Sequence, residues 1–274
     1  MKVASIQMHS GNDLAENLKK ADAYISQGAA LGAEIVLLPE FFNTIDFAHY
    51  RDLEMMNLAE RDDGPTITAM RESATRNKAA IIATIYEQEA PGLYFDTAIL
   101  IDASGDIIFK YRKTHPAAVY SLEKLYFRYG TRFDTAQFKN WRIGINICYD
   151  NGFPEASRCV AANGAEIIFA PFTTPRTFMF QEMIRTRAFD NGVFFVAANK
   201  VGQYHERILS GGSCIIDPTG KVLAAAPADK QTETVIVAEL DYTVIDSARR
   251  KYPSWRDRRP DLYSAITREA DALM

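Results

Sequence analysis

Apolar residues along this chain follow two periods. The runs Val3–Met8, Ile35–Leu38, Ala79–Tyr86, Ala98–Ile101, Ile143–Cys148, Ile167–Ala170, Val193–Ala198 and Val235–Val237 are short, often β-branched and bounded by polar or turn residues. That is the signature of buried strands. Between several of them the spacing is helical. Leu14–Leu31 is closed by Gly32, Ile67–Lys78 is opened by Pro65, Glu155–Ala162 lies between Pro154 and Gly164, and Met179–Asp190 precedes Gly192. Proline just inside the start and glycine just past the end are ordinary helix boundaries. Strands alternating with helices predict an α/β layer arrangement.

Two segments share a further pattern. AILIDASGDIIFKYRK and SCIIDPTGKVLAAAP each read as a β run, a turn closed by Gly105 or Gly220, and a second β run. Two such hairpins hint at two similar halves. After about Asp241 the strand-like runs stop, and ARRKYPSWRDRRPDLY is rich in Arg, Asp and Pro. It reads either as a solvated extension or, through Tyr252, Trp255 and Tyr263, as a contact surface.

At 274 residues, 47% hydrophobic and 24% charged, the chain can bury a large core, and no linker-like stretch divides it. One domain over 1–274 is expected, with 241–274 as a C-terminal extension. A net charge of -4 and a pI near 5.7 argue against nucleic-acid partners. No apolar stretch is long enough for a signal peptide or a membrane span, so a cytoplasmic protein with no membrane partner is expected. Cys148, Cys159 and Cys214 fit neither a disulfide framework nor a zinc site, and read as one reactive thiol beside two packed ones.

Three residues carry candidate chemistry. Glu40 closes IVLLPE, Lys113 lies in FKYRKTH, and Cys148 lies in RIGINICYDNGFPE. A carboxylate, an ammonium and a thiol at the ends of buried strands supply a base, a charge stabiliser and a nucleophile, a complete set for splitting an amide. Each has a plainer reading: a strand-end Glu in solvent, a surface cation among Lys110, Arg112 and His115, and a buried inert thiol. The turn from Cys148 through Asp150, Asn151 and Gly152 into a helix at Pro154 sets the sulfur near backbone N–H groups that favour a thiolate.

In this order the three segments resemble the signatures of the nitrilase superfamily, the carbon–nitrogen hydrolases with a Glu-Lys-Cys triad. VASIQM, EKLYFRYG around Glu123, FPEASRCVAANGAEIIFAP and RRPDLY extend the resemblance over nearly the whole chain. It implies a four-layer α-β-β-α sandwich, with the C-terminal segment across a dimer interface and a homodimer or an assembly of dimers. It selects Lys113 among the basic residues and makes Glu40 the general base and Cys148 the nucleophile. Lys113 and a backbone N–H, that of Tyr149, would then hold the oxyanion, and Glu123 would hold Lys113 or orient the substrate. Tyr129-Gly130 departs from the Pro-Gly often found there, which bears on loop shape.

Such an enzyme needs no cofactor or metal and takes a small amide or carbamoyl substrate. The substrate is read first as a linear carboxamide; an N-carbamoyl amine or ureido acid is the alternative, and a nitrile ranks below both. A non-catalytic scaffold is the rival outside the enzyme class, and the intact Glu40, Lys113, Glu123 and Cys148 argue against it. Position alone nominates Phe42, Asn43, Tyr120, Tyr149, Asp150 and the stretch Thr173–Arg176 as pocket lining. Arg176 reads either as a fork for a substrate carboxylate or as a surface or subunit-contact residue. Serine-hydrolase, HExxH and phosphate-loop patterns are missing from the sequence.

Overall fold

The computed structural model describes residues 1–274 except 120, 177, 205 and 269–274. Among these, the strands form two six-stranded sheets and a two-stranded ribbon. The first sheet is built from β1 (Lys2–Gln7), β2 (Ile35–Leu37), β3 (Ala80–Ala90), β4 (Leu93–Ile101) and β5 (Ile107–Arg112), with β14 (Thr234–Glu239) beside β1. The second holds β6 (Thr135–Phe138), β7 (Trp141–Ile145), β8 (Ile167–Phe172), β9 (Phe194–Asn199), β12 (Cys214–Ile216) and β13 (Val222–Ala225). The ribbon pairs β10 (Val201–Tyr204) with β11 (Arg207–Ser210).

The two sheets repeat one plan. β1, β2 and β3 are parallel and lead into the antiparallel β4 and β5. β7, β8 and β9 are parallel and lead, after the ribbon, into the antiparallel β12 and β13. The two hairpin turns are built alike as well. Asp102 Oδ1 accepts from the N–H groups of Ser104 and Asp106 at 2.9 and 3.0 Å, and Asp217 Oδ1 accepts from those of Thr219 and Lys221 at 2.7 and 3.1 Å. The hint of two similar halves is therefore borne out.

Side-chain alternation sorts each strand into an inner and an outer face. Val3, Ile35, Leu37, Ile82, Leu100, Ile143, Phe169 and Val196 meet between the sheets in one shared core. The alternate positions Ile6, Val36, Ile81 and Ile99 pack outward under α1 (Leu14–Ala30) and α2 (Pro65–Asn77). Ile168, Phe195 and Ile216 do the same under α4 (Pro154–Ala162) and α5 (Phe180–Asn191). Parallel strands buried on both faces explain the unbroken apolar runs. The result is the expected α-β-β-α sandwich.

Three features differ from the sequence reading. The run Ile143–Cys148 is not strand to its end: pairing stops at Ile145, and Cys148 opens a single 3-10 turn, Cys148–Gly152. β6, β10 and β11 carry no apolar run, because each lies at an edge or in the ribbon with part of its length exposed. Cys159 is exposed on α4 and only Cys214 is packed, so the expectation of two packed thiols is corrected. No helix of the described residues is long and apolar enough to cross a membrane.

The tail folds back on the second helical layer. α6 (Thr243–Lys251) buries Ile245 and Ala248, and a short α7 (Ser254–Asp257) follows. Trp255 Nε1 donates to the Asn191 carbonyl at the end of α5, at 2.8 Å, and Arg158, Arg249 and Arg258 approach its ring. Past it, Leu262, Tyr263 and Ile266 stand exposed.

Candidate active site

Glu40 sits where the chain leaves β2 and has to turn inside the core. Thr84 of β3 donates its hydroxyl to the Pro39 carbonyl at 3.2 Å and accepts the Phe41 N–H at 2.7 Å. Phe41 takes φ +50, a left-handed conformation costly for a bulky residue, and the turn is held from both sides. From the second sheet, the Thr173 hydroxyl donates to the Glu40 carbonyl at 2.6 Å. The Lys200 ammonium donates to the carbonyls of Phe41 and Thr44 at 3.0 and 2.7 Å. Burial pushes that lysine down to about 7, with Asp46 and Glu40 opposing the shift.

Lys113 follows β5, and its N–H continues the ladder to the Asp96 carbonyl of β4 at 2.9 Å. Period-two alternation puts it on the inner face with Phe109 and Tyr111, which join the shared core. Lys110 and Arg112 turn to the other face and pair with Glu87. Gly130 fixes the same stretch. Its N–H donates to the Lys113 carbonyl at 2.7 Å, and a Cβ there would meet the Arg112 carbonyl oxygen at 2.1 Å. The close approach needs the glycine, whatever residue precedes it.

The Lys113 ammonium is buried among three carboxyl groups: Glu123 Oε2 at 2.7 Å, Glu40 Oε1 at 2.8 Å and Asp96 Oδ2 at 3.4 Å. Burial alone would lower it. Glu123, Glu40 and Asp96 outweigh that and hold it well above the usual lysine value. Glu123, at the start of the one-turn α3 (Glu123–Tyr126), also accepts the Ala117 N–H at 2.8 Å. It is turned inward onto Lys113, away from the solvated pairing with Lys124 or Arg128 that its sequence permits.

Cys148 stands at φ +42, and its Sγ lies 4.0 Å from the Thr173 carbonyl. Burial, then Glu40, raise its thiol well above the ordinary value, against a smaller opposing pull from Lys113. Desolvation beside Glu40 and Glu123 thus works against the thiolate that the turn's backbone N–H groups favour. The sulfur therefore needs a base at the moment it attacks.

The carbon-nitrogen hydrolase family model matches residues 2–250. The chain belongs to the carbon–nitrogen hydrolase family, as its resemblance to the nitrilase superfamily implies. It is an enzyme that hydrolyses carbon–nitrogen bonds other than peptide bonds. Over 96% of this hydrolase and 94% of the relative it is 32% identical to an N-carbamoylputrescine amidase of Arabidopsis thaliana. Over 98% of the chain and 99% of the relative it is 31% identical to a citrullinase of Francisella tularensis. A crystal structure of a carbon-nitrogen hydrolase from Helicobacter pylori superimposes with a TM-score of 0.92 at 23% identity, covering 98% of this chain and 99% of that one. That likeness establishes the fold.

The hydrolase places the nominated lining residues unevenly. Thr173 touches both the Glu40 turn and the Cys148 sulfur. Tyr149 is partly exposed beside the sulfur, its ring edge-on to Phe153. Arg176 is exposed, with Nη1 3.7 Å from Met183 Sδ. Phe42 instead packs outward in the core under α1 and α2, and Asn43 donates to Glu60 and Thr66. The Asp150 carboxylate is filled by protein donors: Tyr111 and Thr114 hydroxyls at 2.8 Å, and the N–H groups of His115 and Ile147 at 2.9 and 3.0 Å. It clamps the segment after Lys113 to the turn of Cys148. Tyr120 lies outside the described residues.

Asp96, Thr84 and Lys200 escape the sequence reading. Asp96 and Thr84 sit within apolar strands at inner-face positions, so a polar residue in an apolar run was the available signal. Lys200 follows AAN at the end of β9 and gives no cue that its side chain is buried.

Proposed function

We propose that this hydrolase cleaves a small linear carboxamide through a thioester on Cys148. The observation that carries the reading is the convergence of Glu40, Lys113, Glu123 and Cys148 from both sheets onto one buried spot. Glu40 takes the Sγ proton as the sulfur–carbon bond forms, and the carbonyl electron pair moves onto oxygen. The Lys113 ammonium and the Tyr149 N–H hold that oxyanion. Collapse breaks the carbon–nitrogen bond, and Glu40 hands its proton to the leaving amine. Water, deprotonated by Glu40, then attacks the thioester; the acid leaves and the thiol regains its proton. Glu123 keeps the ammonium charged and aimed.

The second reading, an N-carbamoyl amine or ureido acid, is favoured by the names of the relatives in Arabidopsis and Francisella. Arg176 is the residue that separates a carboxylate-bearing substrate from a neutral or cationic one, because a guanidinium forks onto a carboxylate and an ammonium does not. A screen of ammonia release over amides, ureido acids, carbamoyl amines and nitriles tests the reading. Arg176→Lys should raise KM for an acidic substrate and leave a neutral amide unchanged; equal effects on both would make the far end uncharged or cationic.

The same reading includes assembly and compartment. The exposed Leu262, Tyr263 and Ile266 border a groove of about 450 Å³ with Arg158 and Arg187, which suits a homodimer contact made by the tail. Light scattering at micromolar concentration should give at least a dimer, and removing residues after Asp241 should give monomers or insoluble protein. Three unpaired cysteines, one of them the nucleophile, fit the reducing cytoplasm.

A further inference from the structure

Asp96 is the unexplained charge of the site. It lies on the inner face of β4, fully desolvated, and neither of its carboxyl oxygens finds a hydrogen-bond donor among the described residues. The Lys113 ammonium is 3.4 Å from Oδ2, while its short contacts at 2.8 and 2.7 Å go to Glu40 and Glu123. Thr97, the next residue, donates to Glu87 on the other face at 2.5 Å and gives Asp96 nothing. A buried carboxylate accepting no hydrogen bond is among the costliest groups a core can hold.

Every element around it adds to the problem. Glu40 comes from the turn after β2, Glu123 from α3, and Cys148 from the turn after β7; the hydroxyl of Tyr86, directly opposite on β3, also finds no hydrogen-bond partner among the described residues. Lys113 is the cation facing this group, and Lys200 stands behind Glu40. Three ionised carboxylates against one ammonium would leave a net charge of minus two among buried side chains. Glu40 Oε1 and Asp96 Oδ2 lie 2.8 and 3.4 Å from the same Lys113 nitrogen, which brings the two carboxyl groups side by side. Two desolvated carboxyl groups that share one cation favour the state in which one of them carries a proton.

We propose that Asp96 is a protonated carboxyl that donates a hydrogen bond to Glu40, and that it positions Glu40 as the base. The proton supplies the missing donor and removes one negative charge, and Glu40 accepts the hydrogen bond. Burial favours the same assignment by lifting Asp96 well above the usual carboxylate range; Lys113 pulls it down, and Glu40 and Glu123 push it up. Asp96 touches no reacting atom and acts through Glu40.

The proposal rests on the reading of Glu40 as base, and the test separates the two. Asparagine has the same shape, donates through its amide and has no proton to lose. In the infrared difference spectrum of wild type minus Asp96→Asn at neutral pH, the carbonyl stretch of a protonated carboxyl group should appear. Asp96→Asn should keep kcat/KM within about threefold, whereas Asp96→Leu, which has no donor, should lose about a hundredfold in kcat with little change in KM. A difference spectrum lacking that band, or Asp96→Asn falling as far as Asp96→Leu, would overturn the proposal. Turnover surviving in Glu40→Gln would instead sink the reading of the base while leaving the infrared band in place.

Discussion

The hydroxyl of Thr173 donates to the main-chain carbonyl of Glu40 across 2.6 Å. One side chain thereby ties the loop leaving β8 to the turn leaving β2, and so joins the two sheets at the candidate base. The Thr173 carbonyl faces the Cys148 sulfur at the same time. Thr173→Val should therefore cost about ten- to a hundredfold in kcat through misplacement of base and nucleophile, while Thr173→Ser keeps the link and the rate. Steady-state kinetics on the three proteins decide it; a Val variant with unchanged kcat would show that the link does not position the base.

Removing the reacting groups gives larger effects. Cys148→Ala should abolish turnover with the fold intact, and Glu40→Gln and Lys113→Ala should each lower kcat about 10²–10⁴-fold. Thermal melts run alongside show whether the loss is chemical.

Labelling must allow for the exposed Cys159. In a Cys159→Ser background, iodoacetamide should modify Cys148 slowly at neutral pH and still faster at each step up to pH 9, without a plateau. Burial and Glu40 hold the thiol well above its ordinary value, so the thiolate fraction is still rising there. A plateau near neutral pH would mean a resting thiolate.

Glu87 gives a pH dependence of stability. It is buried, and burial alone would raise it; Arg112, Lys110 and Thr97 outweigh burial and hold it at about 2, below the ordinary value of 4.5. A depressed folded-state value means stability that is full above the unfolded value and lost as pH falls from about 4.5 towards 2. Glu87→Gln should then cost about 2–3 kcal/mol at pH 7, and the gap from wild type should close in urea melts as the pH drops through that window. A gap independent of pH would assign the loss to packing.

Gly130→Ala tests the support of Lys113. The added Cβ meets the Arg112 carbonyl oxygen at 2.1 Å, so either the loop or the end of β5 has to shift. Activity should fall about tenfold or more, since a small displacement of a positioned ammonium weakens oxyanion stabilisation. Tyr129→Pro, which leaves Gly130 in place, should be tolerated far better. Equal losses in both would place the constraint in the loop's shape and remove it from the glycine.

The sequence by itself determined the layers. Short unbroken apolar runs such as Ile35–Leu38 and Ile167–Ala170 read as strands buried on both faces, and Pro65, Pro154 and Gly192 bound the helices that cover them. It also offered Glu40 and Cys148 at the ends of apolar runs, while the family resemblance selected Lys113 among its basic neighbours. What it left open was the side on which each residue works. Lys110, Arg112 and Lys113 are chemically alike along the chain, and the pleat of β5 alone turns Lys113 inward to Glu40 and sends the others to Glu87. Asp150 and Phe42 are neighbours of the reacting residues in sequence, yet one is consumed by a hydrogen-bonded clamp and the other packs away from the site. Asp96 is distant in sequence from Glu40 and reaches it only because β2, β3, β4 and β5 lie side by side. Local spacing encodes which face of a strand or helix is apolar; the charge state of a buried group depends on desolvation and on partners from other strands, and those exist only once the sheets have closed on one another.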